Sequence, residues 1–158
     1  MAEFFPAGST PIQGINLIEF NDDDPEQLAG RVKAFTQHLS QDATVERLGY
    51  TLAEGRPQIQ KVYAMRKRSV GLLGNVQGEK RPLPFVEDTA VPPEHLADFI
   101  TEFRAALDRR GLEYGMFGHV DAGVLHVRPA IDMKAEGAER MIREVSDEVF
   151  ALTRKYNG

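Results

Sequence analysis

Two histidines seven residues apart, His119 and His126, bracket a turn signal in the stretch Gly115-Met116-Phe117-Gly118-His119-Val120-Asp121-Ala122-Gly123-Val124-Leu125-His126-Val127-Arg128-Pro129. Imidazole changes charge near neutral pH and is the commonest metal ligand. Two imidazoles side by side can therefore hold a metal, touch a substrate or pass a proton. Alone they are an incomplete metal site, because zinc takes three or four protein ligands. Glu113 and Asp121 are the nearest carboxylates in sequence, and strand alternation puts only Glu113 on the histidine side. The competing reading is an exposed sheet face that two histidines and an arginine decorate.

The pair acts together only if a hairpin positions it. A two-residue turn at Ala122-Gly123 would set Asp121 opposite Val124 and His119 opposite His126. One face of that hairpin would carry Leu112, Tyr114, Met116, Leu125 and Val127 and would be core. The other would carry Glu113, Phe117, His119, His126 and Arg128 and would meet a ligand or partner. Glycines at 115, 118 and 123 favour function, since glycine in a strand often marks close approach of a backbone or ligand.

The remaining polar clusters admit plainer readings. Arg66-Lys67-Arg68 closes a predicted helix, where cations suit the dipole, although arginine also captures carboxylates in bidentate fashion. Glu87-Asp88 is expected to anchor a loop; capping the helix after Pro92 or joining the histidines are the alternatives. Asp22 to Asp24 are expected to cap and solvate a helix start, and His38 and His95 to be structural or surface residues.

The supporting elements follow from periodicity and punctuation. Residues 1–14, with Pro6, Gly8, Pro11 and Gly14, form an irregular lead-in. Residues 15–20 read as a strand, and Asp24-Pro25 opens a helix to Ser40. Residues 43–48 read as a short strand, 59–68 as a helix, 71–82 as a loop and 83–88 as a strand. Leu96, Phe99, Ile100, Phe103 and Leu107 define an amphipathic helix from Pro93, ended by Gly111. A last helix spans 135–156. The expected fold is α+β: a ferredoxin-like antiparallel sheet with helices packed on one face, in a single domain over 15–158.

Composition narrows the class. The 158 residues carry 19 Lys and Arg against 24 Asp and Glu, a formal net charge of -5. No basic stripe favours a nucleic-acid partner. There is no cysteine, which removes disulfides, thiolate nucleophiles and thiolate-held clusters from this chain. No apolar run reaches the roughly 20 residues of a membrane span. A soluble, cytoplasmic domain is expected, with attachment at the inner-membrane surface open to a longer parent protein. The ending Leu152-Thr153-Arg154-Lys155-Tyr156-Asn157-Gly158 sits at a helix C-cap signal and suits a piece of such a parent.

Phe85-Val86-Glu87-Asp88-Thr89-Ala90-Val91-Pro92, then a helix, then Tyr114 to His119, then Gly123 to Pro129, resembles the C-terminal domain of FAD-linked oxidases. The group is that of D-lactate, glycolate and D-2-hydroxyglutarate dehydrogenases among the vanillyl-alcohol-oxidase-like flavoproteins, with the large bacterial members fused to an iron–sulfur domain most similar. The resemblance runs from Ile15 to the end. The family motif Gly-His-x-Gly-Asp-Gly-Asn-x-His matches at Gly118, His119, Gly123 and His126 and departs at Asp121, Ala122 and Val124.

The resemblance implies a cap over a flavin that a separate N-terminal FAD-binding domain holds, and oxidation of a 2-hydroxy acid to a 2-oxo acid. It implies that His119 and His126 are catalytic and also metal ligands, often to zinc, with the third ligand in a later Glu-His-Gly segment that this chain lacks. Arg66, in Ala64-Met65-Arg66, matches the family's substrate-carboxylate arginine, and Arg128 joins it as a candidate substrate contact. Phe117 and Gly118 would face the cofactor. A lysine that some members carry is replaced by Val86. Without a glycine-rich phosphate cradle, the chain alone is expected to be inactive. A stand-alone small-ligand or metal-binding module on the His119/His126 face is the alternative, and a docking domain a third.

Overall fold

The computed structural model describes residues 4, 12–72 and 78–158, without side chains at 69–72. Most of the lead-in, and Gly74 and Asn75 of the expected loop, lie outside these residues. The chain forms two compact units, Met1–Ile59 and Gln60–Gly158. Among the described residues no helix is long and apolar enough to cross a membrane.

The first unit is built around helix α1, Pro25–Gln41. Asp24 caps it as expected: its carboxylate accepts from the Glu26 and Gln27 amides, and Pro25 takes the first turn, where a missing N–H costs nothing. Phe20 packs on Phe35 with ring centroids 5.5 Å apart, yet α1 buries no residue. The strands expected at 15–20 and 43–48 do not form. A strand needs a partner for its backbone groups, and among the described residues this unit offers none. Ile15, Leu17, Ile18, Val45 and Leu48 stay exposed.

Helix α2, Gly55–Leu72, is longer at both ends than its sequence pattern implied and straddles the boundary between units.

The second unit holds the sheet. Its elements are β1 (Arg81–Pro82), β2 (Thr89–Ala90), α3 (Leu96–Asp108), β3 (Tyr114–His119), β4 (Val124–Ile131) and α4 (Ala138–Lys155). β4 is central and every pairing is antiparallel. β3 lies along one edge; β1 and β2 pair with the two ends of β4. Burial alternates along β4: Leu125, Val127 and Pro129 are buried, whereas Val124, His126 and Arg128 are half-buried. α3 and α4 cover the buried face through Phe99, Phe103, Leu107, Val145, Val149 and Leu152, packed with Leu125, Val127, Val86 and Val91. Each such side chain, fully buried, contributes roughly 1.5–3 kcal/mol. The fold is thus α+β, an antiparallel sheet with helices on one face, and the histidine face is the other.

Two local departures from expectation shape that face. The turn between β3 and β4 has four residues, not two: Val120–Ala122 make a 3-10 turn and Gly123 closes it at φ +67°. His119 therefore pairs with Val124, and Phe117 stands opposite His126. The slip is two residues, so each side chain keeps its predicted face; a slip of one would have reversed them all.

The expected strand 83–88 does not form either. Pro82 pairs with Ala130 and Thr89 with Leu125, so six residues of this edge (83–88) run beside four of β4 (126–129). The two surplus residues make a turn at Phe85-Val86. The effect is that of an enlarged bulge: the edge bends and re-aims its side chains. Val86 drops into the core at 4% exposure, and Glu87 and Asp88 meet the polar face of β4.

Candidate functional site

The site begins with β3 and β4, whose pleat puts Phe117, His119, His126 and Arg128 on one side. The His119 and His126 rings lie 5.5 Å apart, edge to face at 85°. Phe117 also packs on the His126 ring, 4.7 Å away and tilted by 31°. Three rings thus form a partly exposed shelf.

The bulged edge supplies the carboxylates. Glu87 takes two hydrogen bonds from Arg128, from Nε and Nη2, each 2.8 Å. Asp88 Oδ1 lies 2.6 Å from His126 Nδ1, and Glu87 Oε1 lies 3.8 Å from the same nitrogen. Asp88 holds φ at +64°, a conformation that disfavours most side chains by roughly 1–2 kcal/mol and that Asp and Asn tolerate best.

Arg128 sets the electrostatics. Its hydrogen bonds hold the Glu87 carboxyl below the usual glutamate range, against the burial that would raise it. The guanidinium itself is pushed up by the same bonds. A lowered glutamate pKa stabilises the fold above the unfolded value of about 4.3 and loses that stabilisation as pH falls through the folded one. Glu87→Gln should therefore lower stability at pH 7 by about 1–2 kcal/mol, as expected for a charge-assisted hydrogen-bonded pair that is half-buried. Urea denaturation at pH 7 and pH 3 checks this. The two proteins should converge at low pH; an equal gap at both would show that the pair's charge contributes nothing.

The sequence-derived candidates divide. His119, His126, Phe117 and Arg128 come together as parity requires. Gly118 stands on β3 where an added Cβ would overlap the Val124 carbonyl oxygen and lie 3.0 Å from Leu125 Cδ2; its bareness is accounted for by the approach of β4. Arg66 is exposed on α2, and among the described residues no hydrogen bond or ion pair joins it to the histidine face. Glu113, the carboxylate that parity offered, pairs instead with Lys80 at 3.2 Å. Anchoring was the expected role of Glu87-Asp88. Glu87 does anchor Arg128, but Asp88 joins the histidines, a contact across 38 residues that required the bulge.

Several of these groups could hold a cation. Glu87, Asp88 and His126 offer ligand atoms within 4.8 Å of one another. Both Glu87 oxygens already accept from Arg128, which makes the carboxylate a poor ligand there. Nε2 of His126 and a ring nitrogen of His119 are the better donors, with a third ligand still required.

Comparison with known proteins gives these residues a context. Residues 6–158 match the family described as FAD linked oxidases, C-terminal domain. Curated relatives named D-2-hydroxyglutarate dehydrogenase include one from Pseudomonas putida, 62% identical over the whole chain, and one from Escherichia coli, 52% identical over 92% of it. The chain spans only 16% and 14% of those two relatives. No solved structure matches it. With the family match covering nearly all of the sequence, the chain belongs to the C-terminal domain family of FAD linked oxidases.

Proposed function

We propose that this chain is the substrate-side portion of an FAD-dependent dehydrogenase that oxidises D-2-hydroxyglutarate to the 2-oxo acid. The observation that carries the reading is the partly exposed shelf of Phe117, His119 and His126 in a chain of this family. Its glycines favour phosphates held elsewhere. Added Cβ atoms at Gly118 and Gly123 would overlap the chain's own backbone, so neither position leaves open space for a phosphate. Flavin binding would then rest mainly on an FAD-binding domain in the same polypeptide, in keeping with the small share of the relatives that this chain spans. An iron–sulfur domain there would carry the electrons onward.

FAD, when bound, accepts the hydride that leaves C2 of the substrate. The chain's own residues handle the rest. The 2-hydroxyl must lose its proton as C2 is oxidised, and His126 or His119 would take it. A zinc ion on both histidines, completed by a ligand outside this chain, would favour the same loss by stabilising negative charge on the oxygen. The substrate carries two carboxylates and asks for two cationic contacts. Arg66 is one candidate. Arg128 is the other, since its pair with Glu87 engages Nε and Nη2 and leaves the Nη1 donors to a ligand.

Anaerobic mixing of the full-length, flavin-loaded protein with D-2-hydroxyglutarate tests the reading. The oxidised-flavin absorbance should bleach, and this chain mixed with free FAD should oxidise nothing. A full-length protein whose flavin stays oxidised would end the proposal.

A further inference from the structure

His126 is held on two sides. Phe117 lies against its ring plane, and Asp88 meets Nδ1 at 2.6 Å. A ring fixed in plane and pinned at one nitrogen has no freedom left to choose where its other nitrogen points. We propose that Asp88 is a positioning residue that locks His126 as the Nδ1–H tautomer, so that the Nε2 lone pair is the one offered to a ligand.

The chemistry is one-directional. An ionised carboxylate only accepts hydrogen bonds, whereas neutral imidazole donates at one nitrogen and accepts at the other. A bond at Nδ1 therefore fixes the proton there and frees Nε2, the arrangement by which carboxylates orient ligating or proton-accepting histidines. Glu87 plays no part in fixing that proton, because its oxygen is 3.8 Å from Nδ1 and both its oxygens accept from Arg128. The backbone supports the assignment. The chain adopts φ +64° at Asp88, a left-handed conformation within the six-residue bulge, and thereby delivers the carboxylate to the ring. The role bears on the reaction only through the function proposed above; the tautomer itself does not depend on it.

That φ also supplies the test. Asp88→Gly suits the backbone and removes the acceptor. Asp88→Asn suits it too and keeps a carbonyl oxygen for the Nδ1 proton. Long-range proton–nitrogen NMR of this chain, at a pH where imidazole is neutral, reads the tautomer directly, with the His126 signals identified by their loss in His126→Gln. Wild type and Asp88→Asn should show a protonated Nδ1 and a bare Nε2. Asp88→Gly should move His126 to the Nε2–H form. A wild type already in the Nε2–H form, or an Asp88→Gly variant that keeps Nδ1–H, would overturn the proposal. The wild-type spectrum decides even if Asp88→Gly fails to fold. In the full-length protein, Asp88→Gly should also lower kcat/KM by about 10–100-fold, with partial recovery in Asp88→Asn. An inverted tautomer with unchanged kcat/KM would uphold the placement of Asp88 and count against the proposed use of His126.

Discussion

If the proposed function holds, His126→Ala in the full-length protein should lower kcat/KM for D-2-hydroxyglutarate by about 10²–10⁴-fold, the span usual for loss of a proton-transfer group. On that proposal the fall should lie in kcat, because the imidazole would act as the hydroxyl ionises, not as the substrate docks. His119→Ala should fall within the same span. The double variant should lose little more than either single, since groups that act as one unit are not additive. Steady-state kinetics on flavin-loaded protein, with circular dichroism to confirm folding, checks this. Zinc titration of the present chain separates the two modes of action. If the histidines ligate a metal, wild type should bind weakly and the double variant not at all. Full activity in His126→Ala would remove the residue from the mechanism.

The second large effect concerns the turn between those histidines. Gly123→Ala should destabilise the chain by at least about 3 kcal/mol, of which roughly 1–2 kcal/mol comes from the left-handed backbone alone. The rest is steric. The new Cβ would overlap the Val91 carbonyl oxygen, with Val91 C at 3.0 Å and Pro93 N at 3.3 Å. These are backbone atoms, and the Val91 amide already donates to the Gly123 carbonyl at 3.0 Å, so neither segment can move away without losing that bond. At roughly 2–4 °C per kcal/mol for a chain of this size, the melting point should fall by about 6–12 °C. Gly30→Ala is the control: nothing lies within 4 Å of its Cβ, it sits inside α1, and the change should be neutral or stabilising. Equal melting points for Gly123→Ala and wild type would show that the turn relaxes freely.

Much of the second unit could be read from the sequence, because local chemistry decides it. The spacing of Leu96, Phe99, Phe103 and Leu107 is that of one helix face, and those residues are the core. In the first unit, likewise, Asp24-Pro25 starts a helix by hydrogen bonding within three residues. The face shared by His119 and His126 was also legible, although the turn length was not, because strand parity survives an even slip. What failed depends on partners remote in sequence. Ile15 to Phe20 has strand-forming residues but no neighbouring strand to pair with among the described residues of its unit. Leu83 to Asp88 reads as a strand until its six residues are set beside four of β4. The link between Asp88 and His126 rests on that mismatch, so no motif search could have found it. The one sequence signal was the adjacency of two acids before Thr89, and among the three roles it allowed it favoured anchoring over a contact with the histidines.

The surplus of two residues between Pro82 and Thr89 also has a consequence for descent. Most point substitutions in 83–88 would leave the count at six and the carboxylates in reach of β4. A two-residue deletion would bring the count to the four residues of β4. The edge could then zip into a continuous ladder, trading its acids for ordinary backbone pairing. Among relatives, gaps in this segment should therefore mark loss or replacement of the Asp88 contact more reliably than changes of letter do.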